Sequence, residues 1–145
     1  MKVALIQPKY SGHVLHPPLG LGYLASFLQR EGHLVRIIDA NLGISNTQIV
    51  DQIKQLEPGL IGISVMTDTF LETKKIVFQI KRELDIPVVL GGSHVSALPK
   101  YTMGETNADF CVCGEGELIL KDLVYNIEHE ISIENINGLV YRKNN

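Results

Sequence analysis

Two hydrophobic periods alternate along the chain. Lys2-Val3-Ala4-Leu5-Ile6-Gln7 is a nearly continuous aliphatic run of strand length, and Leu19 to Glu31 then places Leu21, Leu24, Ala25 and Leu28 on one helical face before stopping at Gly32. The unit repeats: Val35 to Asp39 reads as a second strand, and after a loop Asn46 or Thr47 can cap a helix. That helix carries Ile49, Val50, Ile53 and Leu56 as one stripe and ends before Pro58-Gly59. Leu60 to Val65 is a third strand. Thr69-Phe70-Leu71-Glu72 then has capping-box spacing and opens a helix with Ile76, Val77, Ile80 and Leu84 inward. Pro87 to Leu90 is a fourth strand, a short helix fits around Ala97 to Met103, and Asp109 to Cys113 is a fifth strand. Glu117 to Ile127 is the last long helix, its acidic residues at the end its dipole favours. Asn137-Gly138 leads into Leu139-Val140-Tyr141, either an extra strand or a docked tail.

Aliphatic strands that each feed an amphipathic helix imply a parallel sheet buried on both faces, because right-handed crossovers place helices on both sides. The expected class is α/β: a doubly wound, five-stranded parallel sheet in the flavodoxin-like order 2-1-3-4-5, a three-layer sandwich, with a Rossmann order as the alternative. A chain of 145 residues suits a single domain. Its 13 Lys plus Arg and 16 Asp plus Glu give a net charge of −3, with the signs interspersed, which speaks against a nucleic-acid face or a membrane-surface helix. No apolar run approaches the roughly 20 residues of a membrane span, and the N-terminus lacks a signal-peptide h-region, so a cytoplasmic protein is expected. Cys111 and Cys113 form a C-x-C on a strand and are expected to be structural thiols rather than a disulfide or a shared metal site.

In such a sheet, ligands bind where the strands end. Those ends carry a long loop, Pro8 to Pro18, then Met66-Thr67-Asp68, Gly91-Gly92-Ser93-His94 and Gly114-Glu115-Gly116-Glu117. A turn alone can explain one glycine pair. Several small, polar clusters on one rim point instead to space for a large flat or elongated ligand, with Ser64 helping to widen a slot between sheet and helices. Gly20-Leu21-Gly22-Tyr23-Leu24-Ala25 also fits the dinucleotide fingerprint, and Asp39 stands where a ribose-binding acid belongs, giving an NAD- or FMN-type alternative. Twelve residues and Pro17-Pro18 separate that fingerprint from the first strand, however, which places its glycines inside a helix.

The set Pro17-Pro18-Leu19-Gly20-Leu21-Gly22-Tyr23-Leu24-Ala25, Gly32-His33-x-Val35, Ile37-Ile38-Asp39, Gly62-Ile63-Ser64 with Thr67, Gly91-Gly92-Ser93-His94 with Pro99, and Gly114-Glu115-Gly116-Glu117 resembles the cobalamin-binding domain that precedes the barrel of B12-dependent radical SAM enzymes. The resemblance spans nearly the whole chain. It implies a cobalamin whose nucleotide tail enters the slot while its corrin lies on the rim. Ser64, Met66 and Thr67 would line the tail slot, Gly91, Gly92, Ser93 and His94 would flank tail and corrin, and Gly114, Glu115 and Gly116 would close the far side. Pro18, Leu19 and Gly20 would meet the corrin edge or the lower face of the cobalt. The D-x-H-x-x-G string of other B12 domains is missing, and His13 and His16, though in the right loop, lack an orienting acid and are not expected to ligate cobalt. Glu115 and Glu117 also suit a helix start whatever the ligand.

The resemblance further implies that S-adenosylmethionine and a [4Fe-4S] cluster belong to another domain, for no C-x-x-x-C-x-x-C occurs here. Residues 1–145 are thus expected to be one cobalamin-binding domain, the N-terminal part of a longer radical SAM protein or a separate subunit, with 136–145 beginning a linker or an extra strand. Alone it would bind rather than turn over. A ligand-free interaction module on the same fold is the third alternative.

Overall fold

The aliphatic runs become strands β1 (Lys2–Gln7), β2 (Leu34–Asp39), β3 (Leu60–Ser64), β4 (Val88–Gly91) and β5 (Phe110–Val112) in a computed structural model that describes residues 1–10, 12 and 16–142. The amphipathic stretches become helices α1 (Leu19–Arg30), α2 (Asn46–Leu56), α3 (Phe70–Glu83) and α6 (Gly116–Glu128), with two short helices, α4 (Ser93–Ala97) and α5 (Pro99–Glu105), between β4 and β5. All pairings among the first five strands are parallel and run in the expected order 2-1-3-4-5.

The sheet has six strands rather than five. β6 (Leu139–Tyr141) adds antiparallel to β5, so the full order is β2-β1-β3-β4-β5-β6. Gly138, at φ 85°, makes the turn that brings the chain back, and its carbonyl accepts from Cys113 N at 2.9 Å. Beyond the strand, the Arg142 guanidinium donates to the carbonyls of Met103, Thr106 and Ala108 and ties β6 to the end of α5.

Three local expectations are corrected. The single short helix is two, because Pro99 forces Leu98 out of the helical region (φ −135°, ψ 53°). The cap of α2 is Ser45, whose hydroxyl accepts from Gln48 N while the Gln48 side chain accepts from Ser45 N, a complete capping box one residue earlier than Asn46. No capping box forms at Thr69. Its hydroxyl instead closes the preceding turn, accepting from Met66 N at 3.0 Å and donating to Met66 O at 3.1 Å, and Glu72 is taken by Asn46 and Lys75.

Alternate residues of each strand feed two cores. On one side Ala4, Ile6, Ile61, Ile63, Val65, Val88, Leu90 and Cys111 pack under α2, α3, α4 and α5. On the other, Val3, Leu5, Leu60, Val89 and Val112 pack under α1 and α6 through Leu21, Leu28, Leu120 and Leu123. Burial pushes the Cys111 thiol up to about 12, so it is an inert core residue, and both cysteines are free. Among the described residues, no helix is long and apolar enough to cross a membrane.

Candidate functional site: a cleft at the strand ends

The second face does not close completely. Gly62 and Ser64, two residues apart on β3, and Gly91, paired with Ser64 on β4, share its side of the sheet, and where β1 offers Leu5 and β5 offers Val112 they offer almost no side chain. The result is a cleft of about 210 Å³ between the rim half of the sheet and helices α1 and α6. Its floor and walls are aliphatic: Leu5, Leu21, Leu24, Val89, Val112 and Leu120. Gly114, Glu115 and Gly116 stand at the entrance to α6, with Gly20 opposite on α1.

The glycines of this edge have different physical reasons. A Cβ on Gly91 would make only ordinary contact with Val112, at 3.9 Å, so a side chain there would extend into the cleft. A Cβ on Gly62 would crowd Leu5 Cδ2 at 2.8 Å. Gly92 is demanded twice over: its φ is 109°, and a Cβ would fall 2.7 Å from the carbonyl oxygen of Val65. That close approach joins the strand ends, since Val65 N donates to Gly91 O at 2.7 Å and His94 N donates to Val65 O at 3.2 Å. Gly114, at φ 90°, donates its N–H to Ser96 Oγ at 3.0 Å, which pins the entrance of α6 to α4. Gly116 lets α6 approach α1, where Leu24 Cδ2 lies 3.3 Å from the position of its Cβ.

Of the residues picked from the sequence, Gly20, Ser64, Gly91, Gly92, Gly114, Glu115 and Gly116 line the cleft. Pro18 is half-buried and Leu19 exposed at the start of α1, beside it. Met66, Thr67 and Ser93 are exposed at the strand ends and do not line it. His94 lies elsewhere: its ring is buried, stacked on Phe70 at 4.3 Å between centroids and edge-on to Tyr101, with Nδ1 3.2 Å from Thr67 Oγ1. Its Nε2 has no hydrogen-bond partner among the described residues. His16 is exposed, and His13 lies outside the described residues. Among the described residues, no three His, Cys, Asp or Glu side chains gather as metal ligands. The cleft residues missing from that selection are the aliphatic floor, Glu117 and Gly62. Counting back two from Ser64 would have found Gly62, whereas Leu5 and Leu120 read like any core residue.

The site does not suit a dinucleotide. Gly20 and Gly22 lie inside α1, and Asp39 Oδ1 already accepts from Asn41 N and Asn41 Nδ2. The charged residues lining the cleft are Glu115 and Glu117, with no lysine or arginine among the described lining residues, so it opposes a pyrophosphate rather than attracting one.

A doubly wound domain with an apolar cleft opening on its strand-end rim has room there for a ligand. The B12 binding domain model matches residues 11–124, and the chain belongs to that family. It is therefore a cobalamin-binding domain, which sets aside the NAD- or FMN-type alternative. The chain is 34% identical over 154 aligned residues to an uncharacterised methyltransferase of Pyrococcus horikoshii, covering 99% of this chain and 33% of that protein. It is 25% identical to the cytidylyl-2-hydroxyethylphosphonate methyltransferase of Streptomyces wedmorensis, covering 86% of this chain and 27% of that one. Among solved structures, the radical S-adenosylmethionine methyltransferase TsrM of Kitasatospora setae, with cobalamin and a [4Fe-4S] cluster bound, superposes with a TM-score of 0.90 at 26% identity, over 98% of this chain and 27% of that one. The chain thus spans a third or less of the length of these relatives.

Proposed function

We propose that this domain presents cobalamin to a radical SAM catalytic domain, in cis or as a separate subunit, for methyl transfer or a related radical reaction. The observation that carries the reading is the cradle made by Gly62, Ser64 and Gly91, a stretch of an otherwise aliphatic sheet face where a Cβ on Gly91 would meet nothing closer than Val112 at 3.9 Å and a longer side chain would enter the cleft. The nucleotide tail enters that cradle, where the apolar floor takes the base and the Ser64 hydroxyl offers the tail a hydrogen-bonding group. Glu115 accepts from neutral donors, the amides and hydroxyls of the ligand, without needing a positive charge on it. Gly91 and Gly20 keep the mouth open, Gly92 lets the end of β4 close onto the Val65 backbone, and Gly114 and Gly116 bound the far side. Pro18 and Leu19 meet the corrin edge; Met66, Thr67 and Ser93 face it from the sheet ends, and His94 supports that edge from below through Thr67.

Bound cobalamin supplies a cobalt centre that can carry a methyl group. The protein's own part is to orient it, exclude water from the tail and leave the outward face open for the partner that holds S-adenosylmethionine and the [4Fe-4S] cluster. Neither His13 nor His16 is assigned to the cobalt. The similarity to TsrM, which holds both cofactors, supports this division of labour. The test is to incubate the protein with hydroxocobalamin, desalt it and measure retained corrin absorbance, with NAD and FMN in parallel. Corrin retained near one per chain is expected; retention of NAD or FMN in its place would overturn the reading.

A further inference from the structure

We propose that Asp39, Asn41 and Tyr10 are positioning residues that latch both ends of the β1–α1 connection and so set the corrin-facing rim. This inference rests on the cobalamin reading above. Asp39 ends β2 beside Gln7, the last residue of β1. Its Oδ1 accepts from Asn41 N at 3.0 Å and from Asn41 Nδ2 at 2.8 Å. A carboxylate only accepts, so this contact fixes which end of the Asn41 amide faces Asp39. Asn41 Oδ1 is thereby turned to the chain leaving β1, where it accepts from Tyr10 N at 3.1 Å while Nδ2 also reaches Pro8 O at 3.4 Å.

Tyr10 carries the latch to the other end of the connection. Its hydroxyl accepts from His16 N at 3.3 Å, and its ring covers Gly12 so closely that a Cβ there would collide with it. Directly afterwards the chain is locked into α1, with Leu19 N donating to Pro17 O at 2.8 Å and Gly22 N to Pro18 O at 2.9 Å. Pro18, Leu19 and Gly20, which the proposed function sets against the corrin, therefore hang from a bond series that begins at Asp39. The acid that imitates a ribose ligand in the sequence holds a loop instead.

The experiment titrates hydroxocobalamin into wild type, Asn41→Ala, Tyr10→Phe and Asp39→Asn, and follows hydrogen exchange at Tyr10 and His16 in the ligand-free proteins. Asn41→Ala is expected to weaken binding about tenfold and to speed exchange at both amides. Tyr10→Phe, which removes the hydroxyl that accepts from His16 N, should weaken it about threefold, and Asp39→Asn, whose amide no longer fixes which end of Asn41 faces it, should weaken it by a similar factor. Affinities of Asn41→Ala and Tyr10→Phe both within about twofold of wild type would overturn the latch, even if exchange quickened. Should Asn41→Ala fail to fold, Tyr10→Phe decides. Should wild type take no hydroxocobalamin, the proposed function fails, and unchanged exchange at His16 in Tyr10→Phe would sink the latch separately.

Discussion

The two faces of the sheet are built from the same strands and differ at every second residue. In β3, Ile61 and Ile63 enter the core under α2 to α5, and Val65 follows them there, while Leu60, Gly62 and Ser64 face α1 and α6. In β4, Val88 and Leu90 face the first core, Val89 and Gly91 the second. Near the start of the strands both faces are bulky. Toward the rim only one remains so, and the other dwindles to glycine and serine. The period of two lets a single strand hold the fold with one set of side chains and yield ligand space with the other. The loss of packing is confined to positions where the filled face compensates, which is how a domain this small keeps both a core and a cleft.

The largest test plugs the open face. Gly91→Leu adds a side chain where the backbone tolerates one, since the new Cβ meets Val112 at an ordinary 3.9 Å and the rest extends into the cleft. Hydroxocobalamin retention should fall about a thousandfold or more, roughly 4 kcal/mol, while the melting temperature changes little. A leucine variant that still binds within about tenfold would show that the tail lies elsewhere. The opposite manipulation empties the filled face. Ile80 is fully buried in the last turns of α3, and α3 starts at the rim, so this residue sits at the end of the domain away from the cleft. Ile80→Ala should cost about 3 kcal/mol of stability in urea denaturation and leave cobalamin affinity unchanged. A parallel loss of affinity would mean the two faces are coupled.

The asymmetry of the faces was only partly legible in the sequence. The strands and long helices could be read because doubly buried strands give unbroken aliphatic runs and each helix shows one apolar stripe. The clusters at Gly91-Gly92 and Gly114-Glu115-Gly116 could be read because small residues in a row at a strand end have few structural uses. The floor could not, because Leu5, Leu24 and Leu120 look the same in sequence whether they face a neighbour or a cavity. His94 follows two glycines and reads as a ligand contact, yet its direction is decided by packing on Phe70, far off in the sequence. The antiparallel pairing of β6 with β5 could not be read because it rests on contacts far apart in sequence, the Gly138 carbonyl with Cys113 N and Arg142 with the carbonyls of Met103, Thr106 and Ala108, and the break at Pro99 was visible only as a proline near the start of the expected helix.

The smallest expected effect lies outside the cores, where α2 and α3 meet over the filled face. Asn46 Nδ2 donates to Glu72 Oε1 at 2.8 Å and Lys75 Nζ donates to Oε2 at 3.0 Å. The Asn46 hydrogen bond, with Lys75 second, holds the Glu72 carboxyl below the ordinary glutamate value of 4.5. The folded state therefore binds this proton less readily than the unfolded chain, so the contact stabilises the protein above that value and is lost as pH falls through the lowered one. Glu72→Gln keeps an acceptor for Asn46 and discards the charge. At neutral pH it should be less stable than wild type by under about 1 kcal/mol, because the pair is partly exposed. The two denaturation curves should converge on acidification below the ordinary glutamate range, with cobalamin binding at neutral pH alike in both. A gap that persisted unchanged in acid would assign the loss to packing between α2 and α3, and a change in cobalamin affinity would show that the filled face reaches the cleft after all.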